Sequence, residues 1–275
     1  MNKSKNFRVR TAVILAAGMG VRLRNLTGFC PKGLLKISDK SLIVRSLECL
    51  KNEGIELVFI VTGFQEDMYI KNLQPNKKFP KIEFIHSHYY EKTGSMHSLF
   101  IARGHILENF LLLESDLLYE SRAQSISMDY ESPDVILASG KTGSNDEVYI
   151  YGDYKKLESS SRENQYKFTS GKIKAISKKS YPNLTIQGEL VGISKISKDF
   201  FRLMCLHYEE YYLFPCNIHY EECISRICTK QTIPYLKVED LVWTEIDDQS
   251  HYDRAIKQVY PKITKKEAKK GEYYD

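Results

Sequence analysis

The sequence predicts an α/β fold in which helices flank a mainly parallel, mixed central sheet on both faces. The first half of the chain contains short, near-continuous apolar runs, the pattern of strands that are buried on both faces of a parallel sheet. These runs lie at residues 11–15, 56–62, 81–85, 109–115 and 134–139. Segments with helical spacing separate them, at residues 41–54, 65–73, 95–106 and 121–130. Such strand–helix alternation is typical of a parallel sheet covered by helices.

The pattern changes after about residue 145. Before that point the helix expected over 41–54 has both ends marked, with Ser41 as a candidate N-cap and Gly54 as a stop. Beyond it, apolar runs follow one another without helices at 147–152, 171–178 and 190–196. We therefore predict a β-hairpin excursion at about 145–195, with the polar stretch 159–171 as its loop. The remaining expected elements are helices at 199–213, 219–230 and 250–260 and a strand at 233–238.

Length and composition predict a single domain. The chain has 275 residues, of which 42% are hydrophobic and 27% are charged, and these values are ordinary for a globular protein that can bury a sizeable core. We expect the domain to cover residues 1–261. Residues 262–275 hold five lysines against three acidic residues. Because such a segment offers no apolar face for docking, we expect it to be a charged linker or tail.

Charge, leader and cysteine patterns argue against several classes of protein. The net charge of +5 lies partly in the tail, and the remainder is too small to indicate nucleic-acid binding. The apolar stretch at 12–17 is too short for a signal-peptide core or a membrane span, so we expect a cytoplasmic protein without a membrane partner. The six cysteines form no C-x-x-C pair and no zinc-ligand spacing, which favours reduced thiols.

The strongest local signal is the segment 15–37, where a buried strand runs into the small residues Ala16, Ala17, Gly18 and Gly20. Small residues let backbone N–H groups approach a ligand closely. Fixed positive charge follows at Arg22, Lys32 and Lys36. The pattern predicts a loop that wraps anionic phosphates. A lone G-x-G is often only a tight turn, and the Walker and dinucleotide glycine patterns are both absent.

Taken whole, this segment resembles the pyrophosphorylase or sugar-phosphate nucleotidyltransferase family. The family motif reads roughly L-A-A-G-x-G-x-R…P-K-x-L, and every fixed element is present here. The resemblance covers about residues 9–260. It implies a Rossmann-like nucleotidyltransferase fold and a Mg²⁺-dependent enzyme that couples a nucleoside triphosphate to a small phosphate or phosphonate and releases pyrophosphate. It also implies nucleotide contacts at Leu15, Ala16, Ala17, Gly18, Gly20, Arg22 and Lys32, with Arg22 and Lys32 as catalytic cations.

Two distant carboxylates are the candidate metal ligands. Asp116 ends an apolar run, and the carboxyl ends of parallel strands are where such sheets bind ligands. A helix cap or a turn is the alternative for a lone Asp. The resemblance implies that Asp116 binds Mg²⁺ beside the nucleotide and that Asp247 is the second ligand. Glu114 could face the same side as Asp116, and Asp248 could instead cap the helix that follows.

Two further segments match the family's acceptor site. Lys178 follows a hairpin strand, and the resemblance implies a catalytic contact with the acceptor phosphate. An exposed surface lysine is the alternative, since most lysines are exposed. Glu189 lies between Gly188 and Gly192, which suggests a backbone close to the ligand with Glu189 facing it. An ordinary turn is the alternative there.

The segment 91–100 matches the part of the family that holds the base and ribose. The resemblance implies that Gly94 and Ser95 contact the nucleotide, and Ser98 could line the same site. His97 is expected to be packed or solvated rather than catalytic, because the chemistry needs no general base.

The phrases at 138–152, 174–182 and 188–201 resemble the 2-aminoethylphosphonate cytidylyltransferases. We therefore expect CTP and a small zwitterionic phosphonate as substrates, and a product used in phosphonate decoration of lipids or glycans. Phosphocholine, a sugar 1-phosphate or a catalytically inactive nucleotide-binding homologue are the alternatives. Some of these enzymes are fused to an aminotransferase, which would suit a truncated linker at 262–275. A homodimer is left open.

The acceptor's cation offers a partial physical test. A primary ammonium has three donors to satisfy and favours carboxylates, which Asp146, Glu147 and Glu189 could supply. A trimethylammonium favours an aromatic cage, for which the candidates are Tyr149, Tyr151 and Trp243. Both alternatives stay open, and we expect the acceptor to be bound by Asp146, Lys178, Glu189 and Trp243.

Overall fold

The computed structural model describes residues 9–23, 30–159 and 167–271. Its main sheet has the strand order β5-β4-β1-β6-β11-β8-β12-β10-β9. The strands in the described residues are β1 (Thr11–Ala16), β2 (Lys36–Ile37), β3 (Lys40–Ser41), β4 (Leu57–Thr62), β5 (Lys81–His86), β6 (Phe110–Glu114), β7 (Leu117–Tyr119), β8 (Val135–Ser139), β9 (Tyr149–Ser159), β10 (Lys167–Ser177), β11 (Ile186–Ile196), β12 (Pro234–Val238) and β13 (Trp243–Glu245).

Helices cover both faces of this sheet. In the described residues they are α1 (Leu42–Asn52), α2 (Glu66–Asn72), α3 (Ser95–Ile101), α4 (Arg122–Asp129), α5 (Lys198–Tyr211), α6 (Tyr220–Ile227), α7 (Gln249–Arg254) and α8 (Tyr260–Gly271), with a π-helical segment (Ala255–Val259) before the last. None of the helices in the described part of the chain is long and apolar enough to cross a membrane.

The sheet is mixed, as the sequence predicts. Strand β1 pairs in parallel with β4 and with β6, and β4 pairs in parallel with β5. Strand β11 connects the two halves of the sheet, because it runs antiparallel to both β6 and β8. The expected hairpin is the antiparallel pair β9–β10, and β9 also pairs antiparallel with β11. Residues 160–166 of the expected loop at 159–171 lie outside the described residues. Ser159 belongs to β9, and the part from Lys167 belongs to β10.

Alternating side chains of β1 explain why both faces are covered. Ile14 joins an apolar cluster with α1 and α4 on one face, whereas Val13 and Leu15 join a second cluster with α3, α5 and α6 on the other. Successive residues of a strand point to opposite faces. A strand that is apolar at every position therefore needs helices on both sides, and this requirement places the loop after β1 between the two layers.

The C-terminal segment differs from the tail expected at 262–275. Its described part lies in α8, where Ile263 is buried in a third apolar cluster with Leu23 and Ile246. Lys266 donates to Glu120 Oε1 at 3.0 Å, and Glu267 accepts from the Ser121 backbone N–H at 2.9 Å. One apolar side chain and two ionic or polar contacts are enough to dock a helix that its charge content alone predicts to be solvated.

Candidate active site

A cavity of about 390 Å³ opens where β1 and β6 end. Nearly all of the residues predicted from the sequence line it. On the nucleotide side these are Leu15, Ala17, Gly18, Gly20, Arg22, Lys32, Gly94, Ser95, Ser98 and Asp116. On the acceptor and metal side they are Asp146, Lys178, Glu189, Trp243 and Asp247. Ala16 differs, because its side chain packs into the core on the opposite face of β1.

The loop after β1 is shaped by Gly20. Its φ is +57°, a left-handed value that favours glycine, and a Cβ there would lie 2.9 Å from Cγ of Lys32. The Leu23 N–H donates to Gly20 O at 2.9 Å, so a tight turn follows directly and carries Arg22 into the cavity wall. Lys36, the third cation of the motif, is exposed and does not line the cavity. The loop therefore supplies two of its three predicted cations.

Largely buried carboxylates from two distant segments meet at the end of β6, where Glu114 and Glu245 keep some exposure. Strands β7 and β13 pair, and the Ile246 N–H donates to Asp116 O at 3.0 Å. This pairing brings together Glu114, Asp116 and Glu245, which offer oxygen atoms within 4.8 Å of one another. Burial, and then repulsion by Asp116, raises the pKa of Glu114 to about 8. Burial, and then repulsion by Asp116 and Glu114, raises the pKa of Glu245 well above its usual range.

Lys32 lies between the two predicted metal ligands. Its Nζ donates to Asp116 Oδ2 at 2.9 Å and to Asp247 Oδ1. Arg22 Nη2 lies 3.2 Å from Asp247 Oδ2. Burial alone would raise the pKa of Asp247, but the attraction of Lys32 and then of Arg22 outweighs it and lowers that pKa to about 2. Asp247 is therefore a carboxylate that two cations hold ionised.

Asp248 caps the helix that follows, which is the alternative role expected for this acidic pair. It precedes α7, and its Oδ1 accepts from the His251 N–H at 2.9 Å, which makes it the helix cap. Asp247 is thereby left to face the cavity. The structure places Asp116 in the cluster of close oxygens, whereas Asp247 is paired with Lys32 and Arg22.

This donor set fits a magnesium ion. Several carboxylate oxygens converge, and hard divalent cations such as Mg²⁺ prefer oxygen ligands. Burial is the main cause of the raised pKa of Glu114 and of Glu245, and repulsion by Asp116 is the second; a bound cation would offset that repulsion. Asp116, Glu114 and Glu245 are the residues that could hold the ion first, with Asp247 on the same wall of the cavity.

Three hydrogen-bonded side chains line the acceptor side. Asp146 accepts from Arg22 Nη1 at 3.0 Å through Oδ2 and from Lys178 Nζ through Oδ1. Glu189 accepts from the backbone N–H of Thr142 at 2.7 Å and from its hydroxyl at 2.8 Å. Neither acid is therefore a free carboxylate here. Gly192 lies close to the carboxylate cluster instead. Its φ is +80°, and a Cβ at this position would lie 3.1 Å from Glu114 Cδ.

The candidate aromatic cage is not assembled in this cavity. Tyr149 and Tyr151 pack edge to face with ring centres 6.5 Å apart, but neither lines the cavity. The Tyr151 hydroxyl donates to Lys179 O at 3.0 Å. Trp243 does line the cavity, but it is buried and its Nε1–H donates to Ser139 Oγ at 2.7 Å. Glu147, the third candidate acid, does not line the cavity either.

The segment predicted to hold the base and ribose is anchored to the start of α6. The Gly94 N–H donates to Cys216 O at 3.3 Å, and the Met96 N–H donates to Ile218 O at 3.2 Å. Ser95 Oγ accepts from the Tyr220 N–H at 3.2 Å. His97 is packed, as expected: it is buried, and its Nδ1 lies 3.2 Å from the Tyr208 hydroxyl.

Several lining residues were missed at the sequence level. Glu245 could have been found, because residues two apart on a strand share a face and it precedes Asp247 by two. The others have no local signal, since they reach the cavity only through tertiary contacts. They are Tyr69, Tyr90, Thr93, Ser115, Thr142, Ser144, Val148, Leu190, Val191, His219, Glu221, Thr244 and His251.

Comparison of sequences identifies the first half of the chain. A family model described as nucleotidyl transferase matches residues 11–152. The bifunctional protein GlmU of Methanococcus maripaludis is 32% identical over 121 residues, which are 44% of this chain and 28% of that protein. The UTP–glucose-1-phosphate uridylyltransferase AglF of Haloferax volcanii is 30% identical over 110 residues, which are 40% of this chain and 44% of that protein. The chain spans less than half the length of these curated relatives.

Comparison of folds extends over nearly the whole chain. The inositol-1-phosphate CTP transferase from T. maritima has a TM-score of 0.72 at 18% identity, covering 93% of this chain and 96% of that one. The CTP:phosphocholine cytidylyltransferase LicC from Streptococcus pneumoniae has a TM-score of 0.64 at 19% identity, covering 90% and 98%. At these identities the likeness shows the fold alone, and it confirms the expected Rossmann-like nucleotidyltransferase fold.

Proposed function

This chain belongs to the nucleotidyl transferase family, and we propose that it is a cytidylyltransferase that couples CTP to 2-aminoethylphosphonate. The products are CMP-2-aminoethylphosphonate and pyrophosphate. One observation carries the proposal: a single cavity joins the phosphate loop, with Arg22 and Lys32, to a wall that holds Lys178 and buried acids. A triphosphate and a small acceptor that has both an anionic and a cationic end suit these two walls.

The proposed reaction requires the protein to position the substrates and to neutralise their negative charge, and it requires no general base. An oxygen of the acceptor's phosphonate is already anionic, so it can attack the α-phosphorus of CTP in line. The new P–O bond forms as the bond to the bridging oxygen breaks, and pyrophosphate leaves with that electron pair. Arg22 and Lys32 stabilise the charge on the triphosphate and on the leaving group, and Lys178 orients the acceptor. Mg²⁺ held by Asp116 and its neighbouring carboxylates would supply further charge neutralisation.

The lining of the cavity supports a primary ammonium over a trimethylammonium. Of the three cage candidates only Trp243 lines the cavity, and one aromatic face is less than quaternary ammonium recognition normally uses. Carboxylates are more plentiful, because Glu189 and Glu221 both line the cavity. Phosphocholine is therefore the second candidate, and its support is the fold likeness to a protein described as a phosphocholine cytidylyltransferase. A sugar 1-phosphate ranks third.

Cytosine as the base rests on the resemblance of the acceptor-side segments and on two fold neighbours whose names describe a CTP transferase and a CTP:phosphocholine cytidylyltransferase. An inactive homologue would keep the phosphate loop but would need no acidic cluster, and the cluster at Asp116 argues against it. A cytoplasmic location, the absence of nucleic-acid and membrane partners, a homodimer and fusion to an aminotransferase belong to the same proposal and rest on the sequence.

Pyrophosphate release tests the proposed function. Four nucleotides, CTP, UTP, GTP and ATP, are each combined with 2-aminoethylphosphonate, phosphocholine and glucose 1-phosphate in the presence of Mg²⁺. We expect CTP with 2-aminoethylphosphonate to give the fastest release. Faster release with phosphocholine would show that the proposed acceptor is wrong. Faster release with another nucleotide would show that the proposed base is wrong. Binding of CTP without release from any pair would favour the inactive homologue.

Glu189 is our first choice for the partner of the acceptor's ammonium. A buried, unpaired ammonium would be strongly unfavourable, so a carboxylate must lie close to it. We expect Glu189→Gln to lower kcat/KM for 2-aminoethylphosphonate by roughly 10- to 100-fold, the range for losing a charged hydrogen bond. The use of ethylphosphonate, which lacks the amine, should fall much less. The measured quantity is the ratio of the two kcat/KM values.

Thr142→Val is the matched control for this substitution. It removes the hydroxyl that Glu189 binds at 2.8 Å but keeps the carboxylate. It should therefore affect both acceptors alike and leave their ratio unchanged. An unchanged ratio in Glu189→Gln would show that Glu189 only holds Thr142, and Glu221 would then be the remaining carboxylate to examine.

A further inference from the structure

The segment 140–148, which joins β8 to β9, is tied to several walls of the cavity. Glu189 of β11 accepts two hydrogen bonds from Thr142. His251 Nε2 lies 3.1 Å from Ser144 O. Thr142 and Ser144 both line the cavity. The segment is therefore fixed from the sheet on one side and from α7 on the other, independently of any contact made by its acidic residue Asp146.

Asp146 makes a third set of contacts in this segment. Its carboxylate binds both Arg22 and Lys178, the two cations that the proposed reaction assigns to different substrates. Its Oδ2 accepts from Arg22 Nη1 at 3.0 Å, and its Oδ1 accepts from Lys178 Nζ. The Arg22 and Lys178 side chains are 56% and 54% exposed, whereas that of Asp146 is 22% exposed. Ion pairs between groups this exposed are weak, so a phosphate that enters the cavity can displace the carboxylate.

We propose that Asp146 is a positioning residue that takes the place of substrate phosphate oxygens on Arg22 and Lys178 and thereby couples the binding of the two substrates. The proposal rests on the proposed function for the assignment of Arg22 to the triphosphate and Lys178 to the acceptor. Each oxygen of Asp146 occupies the donor that one substrate anion would otherwise bind. The carboxylate therefore competes with both substrates at once.

Coupling follows from the shared carboxylate. A polyphosphate that binds Arg22 breaks one of the two ion pairs of Asp146, and only Lys178 then holds the carboxylate. The second anion has less to displace, so its affinity rises. Because linkage is reciprocal, the acceptor raises the affinity for the polyphosphate by the same factor. A carboxylate that served only to hold the loop would produce no such factor.

Asp146→Asn separates the two roles. It keeps the size of the side chain and removes the charge, and the segment remains tied through Thr142 and Ser144. If Asp146 competes with substrate anions, the variant should bind each anion more tightly than wild type does. If Asp146 only supports the loop, methylphosphonate should leave the affinity of wild type for tripolyphosphate unchanged. Asp153→Asn is the matched control, because Asp153 forms an exposed ion pair with Lys174 at 3.1 Å on the adjoining hairpin β9–β10 and does not line the cavity.

The experiment measures the affinity for inorganic tripolyphosphate by calorimetry, alone and with saturating methylphosphonate. For wild type we expect methylphosphonate to tighten tripolyphosphate binding by about fivefold to tenfold, within the usual range of coupling between sites. For Asp146→Asn we expect tighter binding of tripolyphosphate alone by a similar factor and a coupling factor close to one. Asp153→Asn should behave as wild type.

Three results would overturn the proposal: weaker tripolyphosphate binding by Asp146→Asn, a coupling factor that survives in this variant, or no coupling in wild type. Neither probe carries a base or an amine, so the result does not depend on the identity of either substrate. Failure of CTP turnover with coupling intact would reject the proposed function alone. Turnover without coupling would reject the role of Asp146 alone.

Discussion

Asp116→Asn is expected to abolish nucleotidyl transfer while leaving the fold intact. The substitution removes one charged oxygen ligand from the cluster of Glu114, Asp116 and Glu245, whose oxygens lie within 4.8 Å of one another. Stability should not fall, because Asp116 repels both other carboxylates and raises the pKa of each. Lys32 also keeps Asp247 as its partner. Turnover is measured as pyrophosphate release, and the fold as the melting curve.

The control for this substitution is again Asp153→Asn, which neutralises an exposed Asp outside the cavity and should retain full turnover. Magnesium titration adds a second measurement. Wild type should show a Mg²⁺-dependent rise in melting temperature, and Asp116→Asn should lose most of it. Near-normal turnover by Asp116→Asn, with a normal melting curve, would remove Asp116 from the metal site.

Lys32→Ala is expected to lower the rate by about 10²- to 10³-fold, as removal of a preorganised charge contact does in other enzymes. Lys32 is the one cation that bridges Asp116 and Asp247 in the described residues, and its side chain is only 19% exposed. A cation in this position can stabilise the triphosphate and the departing pyrophosphate without first being ordered. The measured quantity is kcat for CTP at saturating acceptor.

Lys36→Ala is the matched control, because Lys36 belongs to the same motif but is exposed and lies outside the cavity lining. It should leave kcat unchanged. Loss of Lys32 also leaves two buried carboxylates with less positive charge, which is unfavourable, so the melting temperature has to be compared at the same Mg²⁺ concentration. An effect limited to the KM of the acceptor would place Lys32 on the acceptor side.

Local features of the sequence were sufficient to predict the fold class and the tight glycine turn that follows β1. The residues from Leu15 to Gly20 combine a continuous apolar run with small residues, and both features act within a few positions of the chain. An uninterrupted apolar strand must be covered on both faces, and small residues must follow where the backbone approaches a ligand. Asp116 was predictable for the same reason, since it ends such a strand.

Direction and pairing of side chains were not predictable in this way. A shift of one residue turns a strand side chain to the other face, which is why Ala16 packs in the core while its neighbours Leu15 and Ala17 line the cavity. Tyr149 and Tyr151 are of a residue type that forms aromatic cages, but their positions on β9 leave them outside the cavity lining. Residue type alone does not report where a side chain points.

The sequence by itself therefore determined the alternation of strands and helices in the first half of the chain, the glycine turn after β1 and the residue types available for binding phosphate and metal. Only the tertiary structure decided which of these residues meet. Pairing of β7 with β13 brings Glu245 to Asp116, and Asp146 reaches Arg22 across 124 positions of the chain. Ile263 likewise holds α8 in place through a tertiary contact, in an apolar cluster with Leu23 and Ile246. The physical reason is that such contacts depend on the distance between atoms in space, which no local sequence pattern records.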